Sequence, residues 1–313
     1  MDKDNLFLIA CRNGEYMANA ISEYLSVEIK ERNIKNFPDG EIFVQVKSDV
    51  RGKHCYVFQS LGGNVNENIM ELFILISTLK RASAKTITVV IPYFAYARQD
   101  RKTSGRTPIT AKLIADLLTN AGADRILTID MHAAQIEGFF NIPVDHLKAF
   151  PIFLDYFKDI KNAVMVSPDV GNIKMAEEYA KRLNIDIAII NKKRINEDTV
   201  KTNGIIGNVK GKNIIMSDDI ISTAGTICSA ASILKDEGAN EITVAASHGL
   251  FCNNACNKID EAYIDKIVTT DTISFKNNIK FKNTKLEIVS VLKLIAEAIN
   301  RIHHNKSVSI LFD

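Results

Sequence analysis

Short apolar runs alternate along the chain with longer segments in which apolar residues recur every three or four positions. The short runs are rich in Val, Ile and Thr and almost uninterrupted by polar residues, which is typical of strands covered on both faces. They predict strands at residues 86–91, 125–130, 163–167, 186–190, 213–217 and 241–246, and a first strand near the amino terminus. The longer segments predict helices at residues 66–81, 108–120, 172–183 and 224–237. This alternation favours an α/β fold with mostly parallel sheets.

The chain contains an internal repeat. Residues 107–132 align without gaps to residues 223–248, every aligned pair lies 116 positions apart, and eight positions are identical. The identities include a Gly-Ala pair in the middle and the closing His132 and His248. Because each segment predicts a helix, a Gly-Ala turn and a strand in the same order, we interpret them as two copies of one α/β unit. A chain of 313 residues also suits two domains of roughly 150 residues, which we place at residues 1–147 and 148–313.

Composition and charge narrow the functions that the chain could have. Charged residues make up 24% of the sequence and the net charge is only +2, so we expect no broad nucleic-acid surface. No apolar run approaches the roughly 20 residues that span a bilayer. The amino-terminal segment opens with acidic residues and does not resemble a secretory signal. We therefore expect a cytoplasmic protein that binds neither nucleic acid nor membrane.

The cysteines are predicted to be free thiols. There are five of them, an odd number, and most lie far apart in sequence. His248, Cys252 and Cys256 have the spacing of metal ligands, but a structural zinc site needs a fourth ligand and none lies nearby in sequence.

An apolar strand that ends in two acids and passes into a helix is the strongest candidate site. In the segment IIMSDDIISTAGT (residues 214–226), Asp218 and Asp219 follow the strand and can accept hydrogen bonds from sugar hydroxyls or hold Mg²⁺ through water. The hydroxyls of Ser222, Thr223 and Thr226, together with N–H groups at the start of the helix, can bind a phosphate. The alternative interpretation is an ordinary capped helix preceded by polar turn residues.

The segment DDIISTAGT resembles the phosphoribosyl-pyrophosphate motif that type I phosphoribosyltransferases share with ribose-phosphate pyrophosphokinases. Three further segments, FPDGE (37–41), YARQDRK (96–102) and TIDMHAAQIEGFF (128–140), resemble only the pyrophosphokinase family. The similarity runs from about Phe37 to the end of the chain. It implies two tandem domains, each like a type I phosphoribosyltransferase and built on a mostly parallel sheet flanked by helices. The final residues are expected to pack back on the first domain.

The resemblance implies that the chain transfers the β,γ-diphosphoryl group of MgATP to the anomeric hydroxyl of ribose 5-phosphate and releases AMP. Neither a phosphate-binding loop of the Walker type nor a dinucleotide fingerprint occurs, so ATP must be held in another way. A catalytically silent regulatory homologue and a phosphoribosyltransferase are the alternatives. The family also implies Mg²⁺ as cofactor, a homo-oligomer that is a hexamer built from dimers, and regulation by ADP and phosphate.

The first half of the chain is expected to bind ATP. Phe37 can stack on adenine while Asp39 and Glu41 accept hydrogen bonds from the nucleotide, although Pro-Asp-Gly is also common in the turn of a hairpin. Arg98 can hold phosphate oxygens and Gln99 can contact a base edge, and we add Asp100 to this group. Without the resemblance, residues 98–100 would be interpreted as a solvated loop.

Metal and transition-state ligands are expected in both halves. Asp130 and His132 stand two residues apart at the end of a predicted strand, so their side chains should point the same way. By resemblance, His132 and Asp169 bind the metal ion, with Asp130 beside them. The basic stretch NKKRINEDTVK (191–201) reads by charge as a solvated loop.

The family places a catalytic loop at residues 191–201, and its cationic residues match Lys192 and Arg194. For ribose 5-phosphate the resemblance adds Ala224 and Gly225 to Asp218, Asp219, Ser222, Thr223 and Thr226. Ser222 and Asn196 stand where many members carry Asp and Arg.

Overall fold

A computed structural model describes residues 5–196, 199–274 and 279–311. The chain divides into two compact units. Unit 1 comprises Met1–Lys148, Thr272–Ser274 and Ser290–Asp313, and unit 2 comprises Ala149–Asp271 and Phe275–Val289. The boundaries that we set at residues 147 and 148 stay a prediction.

The described part of the chain contains fourteen strands and eight α-helices. The strands are β1 (Leu6–Ala10), β2 (Arg32–Asn36), β3 (Ile42–Val46), β4 (His54–Phe58), β5 (Thr86–Ile91), β6 (Arg125–Ile129), β7 (Val144–Leu147), β8 (Ala163–Ser167), β9 (Asp186–Asn196), β10 (Thr199–Ile206), β11 (Asn213–Ile221), β12 (Ile242–Gly249), β13 (Lys266–Thr270) and β14 (Lys285–Val289). The helices are α1 (Glu15–Leu25), α2 (Val65–Arg81), α3 (Thr110–Ala121), α4 (Phe150–Phe157), α5 (Ile173–Leu183), α6 (Gly225–Asp236), α7 (Ala255–Glu261) and α8 (Leu292–His303).

Unit 1 is built on a five-stranded sheet in the order β1-β4-β5-β6-β7, and all four pairings are parallel. Its strands are almost entirely buried because helices pack against them. Helix α1, for example, presents an apolar face, because Met17, Ala18, Ile21 and Leu25 recur at helical spacing and are all buried. Helix α8 packs against α1 in the same unit. A separate antiparallel hairpin joins β2 to β3.

Unit 2 is built on a seven-stranded sheet in the order β10-β9-β8-β11-β12-β13-β14. Only β9 and β10 pair antiparallel, and the other five pairings are parallel. The core lies between β8, β11 and β12 and the apolar faces of helices α6 and α7. The expected α/β fold with mostly parallel sheets is therefore confirmed.

The predicted elements are found, and three strands extend further than the apolar runs indicated. The strands at residues 86–91 and 163–167 have the predicted bounds, and each of the four helices begins and ends within two residues of its prediction. Strand β9, however, continues through the basic residues to Asn196 and pairs with β10. For residues 191–196 and 199–201 the interpretation as a loop is wrong, because pairing between the two strands satisfies the backbone whatever side chains they carry. Glu197 and Asp198 lie outside the described residues.

The internal repeat is visible as repeated structure. The N–H group of Gly122 donates to the carbonyl of Thr119 and that of Gly238 donates to the carbonyl of Lys235, each at 3.0 Å. Ala123 and Ala239 repeat a second pair of bonds to the ends of α3 and α6. Both glycines have positive φ, at 119° and 82°, which is why glycine occupies both turns.

Two predictions from composition can also be compared with the fold. All five cysteines are free thiols, as expected. Within residues 5–196, 199–274 and 279–311, no helix is both long and apolar enough to cross a bilayer.

Candidate functional site

Strand β11 carries the two acids into the start of α6. Asp218 and Asp219 lie within β11 and not after it, since β12 runs beside them and Asp218 is paired with Ala246. The apolar pattern predicted that this strand ends at residue 217, because two acids follow, whereas β11 continues to Ile221. Ala224 precedes α6 with a φ of 62° and supplies no capping side chain. The first turn of α6 therefore offers N–H groups to an anion at the end of an acid-bearing strand.

The hydroxyl residues surround this helix start. Ser222 is half-buried, and its carbonyl accepts a hydrogen bond of 2.9 Å from the N–H group of Cys252. Thr223, Gly225 and Thr226 are exposed. The structure thus brings Asp218, Asp219 and the predicted phosphate-binding residues into one continuous junction.

Burial changes the charge of the first acid. Loss of solvent, a hydrogen bond with Asp219 and the charge of that neighbour raise the pKa of Asp218 to about 8. Asp169 adds a smaller repulsion. The raised pKa favours the protonated form of Asp218, so the junction carries less negative charge than its sequence indicates.

Asp169 follows β8 and caps the turn before α5. Its Oδ1 accepts hydrogen bonds from the N–H groups of Gly171 at 2.9 Å and Asn172 at 3.1 Å. Ser167 donates to the carbonyl of Asp169 at 2.6 Å, which fixes the backbone there. Asp169 thus has a structural role as a cap in addition to its predicted role as a metal ligand.

Asp130 and His132 do not lie on a strand. Strand β6 ends at Ile129, and Asp130 has a φ of 38°. The prediction that their side chains point the same way was based on strand geometry, and that geometry is absent because the chain turns at Asp130. His132 is exposed. Lys148 lies 3.8 Å from Oδ1 of Asp130, and the N–H group of Asp130 donates to the carbonyl of Leu147 at 3.1 Å.

Residues 37–41 form the turn of the β2–β3 hairpin. The N–H group of Phe37 donates to the carbonyl of Glu41 at 2.8 Å, and Oδ1 of Asp39 accepts from the N–H group of Glu41 at 3.1 Å. Phe37 is 42% exposed and meets Phe43 edge to face, with ring centroids 6.0 Å apart. A large aromatic ring that stays this exposed on a hairpin is available to stack on a planar ligand.

Residues 98–100 lie between β5 and α3. Arg98 and Gln99 are exposed, and Oε1 of Gln99 accepts a hydrogen bond from the hydroxyl of Thr110 at 2.5 Å. Asp100 accepts from Nε2 of Gln135 at 2.9 Å. This bond connects the segment that contains Arg98 with the segment that follows His132.

Sequence reasoning missed the residues that support the hairpin. Glu67 on α2 accepts hydrogen bonds from Asn36, next to Phe37, and from Arg12, both at 3.2 Å. Arg12 also forms an ion pair of 2.5 Å with Glu71, which is almost completely buried. The only signal in the sequence was a pair of acids four positions apart on α2, and such pairs are usually solvated.

Lys192 and Arg194 lie on β9, where their backbones pair with Thr202 and Val200 of β10. Their side chains lie outside the described part of the structure. Within the described residues there is no group of three or more His, Cys, Asp or Glu side chains placed to hold a metal ion. Asp130 and His132 belong to unit 1 and Asp169 to unit 2, so their joint role stays a prediction.

Comparison with known proteins covers nearly the whole chain. Residues 6–122 match the family model for the N-terminal domain of ribose phosphate pyrophosphokinase. Residues 200–313 match the model for the phosphoribosyl synthetase-associated domain. The chain is 47% identical over 312 residues to the ribose-phosphate pyrophosphokinase of Rhodopirellula baltica, with 98% of each chain covered. It is 46% identical to the enzyme of that name from Campylobacter jejuni, covering 94% of this chain and 95% of the relative.

A solved structure agrees with these relatives. The phosphoribosylpyrophosphate synthetase of Mycobacterium smegmatis matches with a TM-score of 0.90 and 38% identity, over 96% of this chain and 99% of that one. Identity at this level over the full length of both chains leaves no domain of the relative unmatched. The chain belongs to the ribose-phosphate pyrophosphokinase family.

Proposed function

We propose that the β11–α6 junction binds ribose 5-phosphate while segments of unit 1 bind ATP, in a chain that acts as a ribose-phosphate diphosphokinase. The anomeric hydroxyl attacks the β-phosphorus of ATP, so that the diphosphoryl group moves to the sugar and AMP leaves. The observation that carries the assignment of the sugar site is the pair of acids on β11 leading into a helix start without a capping side chain.

The two parts of the junction suit the two ends of ribose 5-phosphate. N–H groups at the start of α6 and the hydroxyls of Ser222, Thr223 and Thr226 favour the phosphate. Asp218 and Asp219 can bond to the ring hydroxyls. A raised pKa at Asp218 reduces the repulsion between this strand and an anionic substrate.

ATP is assigned to Phe37, Asp39, Glu41, Arg98, Gln99 and Asp100. The exposed ring of Phe37 would stack on the base, and Arg98 would bind phosphate oxygens. The bond between Asp100 and Gln135 would keep the phosphate-binding segment next to Asp130 and His132.

Mg²⁺ is the proposed cofactor, and the donors fit it, because the carboxylate oxygens of Asp130 and Asp169 are ligands that a hard cation prefers. When bound, Mg²⁺ neutralises charge on the transferring phosphates. Lys192 and Arg194 are proposed to stabilise the same developing charge from the β9–β10 hairpin.

Incubation of the chain with MgATP and ribose 5-phosphate tests this function. We expect equimolar release of AMP and 5-phosphoribosyl 1-pyrophosphate, measured by ion-exchange chromatography. A silent regulatory homologue would release neither product. A phosphoribosyltransferase would consume 5-phosphoribosyl 1-pyrophosphate together with a base and leave ATP intact.

Assembly, regulation and location are proposed from the family. We expect a homohexamer built from dimers, regulation by ADP and phosphate, and a cytoplasmic location. Light scattering of the purified protein tests the hexamer, and a particle mass below six subunits at assay concentration would contradict it. Assays with added ADP or phosphate test the regulation.

A further inference from the structure

His146 lies on β7, in a part of the sequence that none of the candidate motifs includes, and it is 6% exposed. Its Nε2 lies 2.8 Å from the backbone nitrogen of Met131. Its Nδ1 lies 2.6 Å from Oε1 of Glu137. Both ring nitrogens therefore have partners on the segment that follows β6.

The partners determine which nitrogen carries the proton. An N–H group can only donate and an ionised carboxylate can only accept, so Nδ1 is protonated and Nε2 presents its lone pair to Met131. Burial, followed by the charge of Lys148, lowers the pKa of His146, which favours this neutral form. Lys148 also approaches Nε2, at 3.1 Å.

In sequence, Met131 stands between Asp130 and His132, the two residues of unit 1 that are assigned to the metal ion. Two consecutive N–H groups of this turn donate to β7: that of Asp130 to the carbonyl of Leu147, and that of Met131 to the ring of His146. Asp130 holds a φ of 38°, a conformation that non-glycine residues adopt rarely and keep only when their surroundings enforce it. The ring of His146 supplies one of the backbone contacts that hold this turn.

We propose that His146 is a positioning residue, whose Nε2 holds the backbone at Met131 so that Asp130 and His132 face the Mg²⁺ and phosphates of ATP. This inference rests on the proposed function and adds a residue to it. The competing explanation is a core histidine that contributes only to stability. Side chains that hold the ligands of a metal ion typically affect metal affinity or activity about 10–100-fold when they are replaced.

Two amide variants separate the two bonds of the ring. In His146→Gln the side-chain oxygen can reach the place of Nε2 and accept from Met131. In His146→Asn the shorter amide nitrogen can take the place of Nδ1 and donate to Glu137, but Met131 loses its acceptor. The side chain of Glu137 is 45% exposed, so water can replace the bond that His146→Gln removes.

We expect His146→Asn to raise the KM for MgATP and the Mg²⁺ concentration needed for half-maximal activity by about 10–100-fold. In His146→Asn the KM for ribose 5-phosphate should stay within about threefold of the wild-type value. In His146→Gln both KM values and the Mg²⁺ concentration for half-maximal activity should stay near those of the wild type. Calorimetric titration with a non-hydrolysable ATP analogue, with and without Mg²⁺, should show the same loss of affinity in His146→Asn without relying on turnover.

The positioning role would be rejected if both variants lost the same affinity for the ATP analogue. It would also be rejected if the loss of affinity only followed the fall in melting temperature. If only one variant folds, it is compared with the wild type in the calorimetric titration, and either unchanged affinity in His146→Asn or a loss of affinity in His146→Gln would reject the positioning role. A wild-type chain that binds the analogue with Mg²⁺ but releases no AMP would contradict the proposed function while leaving the role of His146 measurable.

Discussion

The two copies of the repeated segment have the same helix end, glycine turn and start of the strand. They differ where the strand ends. In both, a helix ends at a glycine with positive φ and a strand follows, with the same backbone bonds around the turn. In unit 1, β6 stops at Ile129, the chain turns at Asp130, and His132 is exposed. In unit 2, β12 continues to Gly249 and His248 is buried.

The neighbouring strands explain this difference. Residues Ile220 and Ile221 of β11 pair with His248 and Gly249, so β12 has a partner to its end. In unit 1, β5 ends at Ile91, which pairs with Thr128, and β6 ends one residue later at Ile129. A duplicated scaffold thus acquires different ends when the strand beside it is longer or shorter, and the ends of parallel strands are where sites are built.

The largest effect is expected from the antiparallel pair of β9 and β10, which belongs to the main sheet of unit 2, whereas the β2–β3 hairpin of unit 1 forms a separate sheet. Among the described residues, the sheet of unit 1 ends at β1, whereas β9 in unit 2 also pairs with β10. If Lys192 stabilises the transition state, Lys192→Ala should lower kcat about 10²–10³-fold with little change in the KM for ribose 5-phosphate. Lys210→Ala, at an exposed lysine of the same unit, is the control. Unchanged kcat in Lys192→Ala would remove the hairpin from the mechanism.

A smaller effect is expected at the acid-bearing end of β11. Asp218→Ala removes both side-chain oxygens that could bond to a sugar hydroxyl, so kcat/KM for ribose 5-phosphate should fall about 10-fold or more. Binding of the ATP analogue in calorimetry should not change. An equal loss for both ligands would show that Asp218 supports the whole fold and not the sugar site.

The shared turn can be tested by placing alanine at each glycine. A side chain at positive φ costs about 1–2 kcal/mol, and both Gly122→Ala and Gly238→Ala should lower the free energy of unfolding in urea. Gly122→Ala should be the worse of the two, since its φ of 119° lies further from the left-handed region that alanine can adopt. Gly105, with nothing within 4 Å of an added Cβ, provides the control substitution Gly105→Ala. A loss at only one of the two turns would contradict their equivalence.

The smallest expected effect is on how the stability of unit 1 depends on pH. Burial, with the charges of Lys85 and His303, lowers the pKa of His54. The stability that this histidine contributes is therefore fully present above its ordinary pKa of about 6.5 and is lost as the pH falls further. His54→Asn, which can keep the bond to the hydroxyl of Thr86, should make the decline in stability below that pH shallower in thermal unfolding. An unchanged slope would show that other groups cause the decline.

Much of the fold could be predicted because it depends on local patterns. The apolar runs located strands such as β5 and β8, and the helical spacing located α2 and α6, since burial of one face or of both faces imposes a period on the sequence. The extension of β9 through a basic stretch could not be predicted. Its strand structure depends on pairing with β10, and neither segment carries that information in its own pattern.

The candidate site divides in the same way. The sequence alone located the acids of β11, the hydroxyl-rich start of α6 and the hairpin turn at Phe37, because each is a short run of adjacent residues. It also indicated the family, because the family motifs are short runs of the same kind. Only the tertiary structure decided that Asp130 leaves the strand, that Asp218 has a raised pKa, and that His146 bonds to Met131. These properties arise from burial and from contacts between distant segments, and a linear pattern does not specify them.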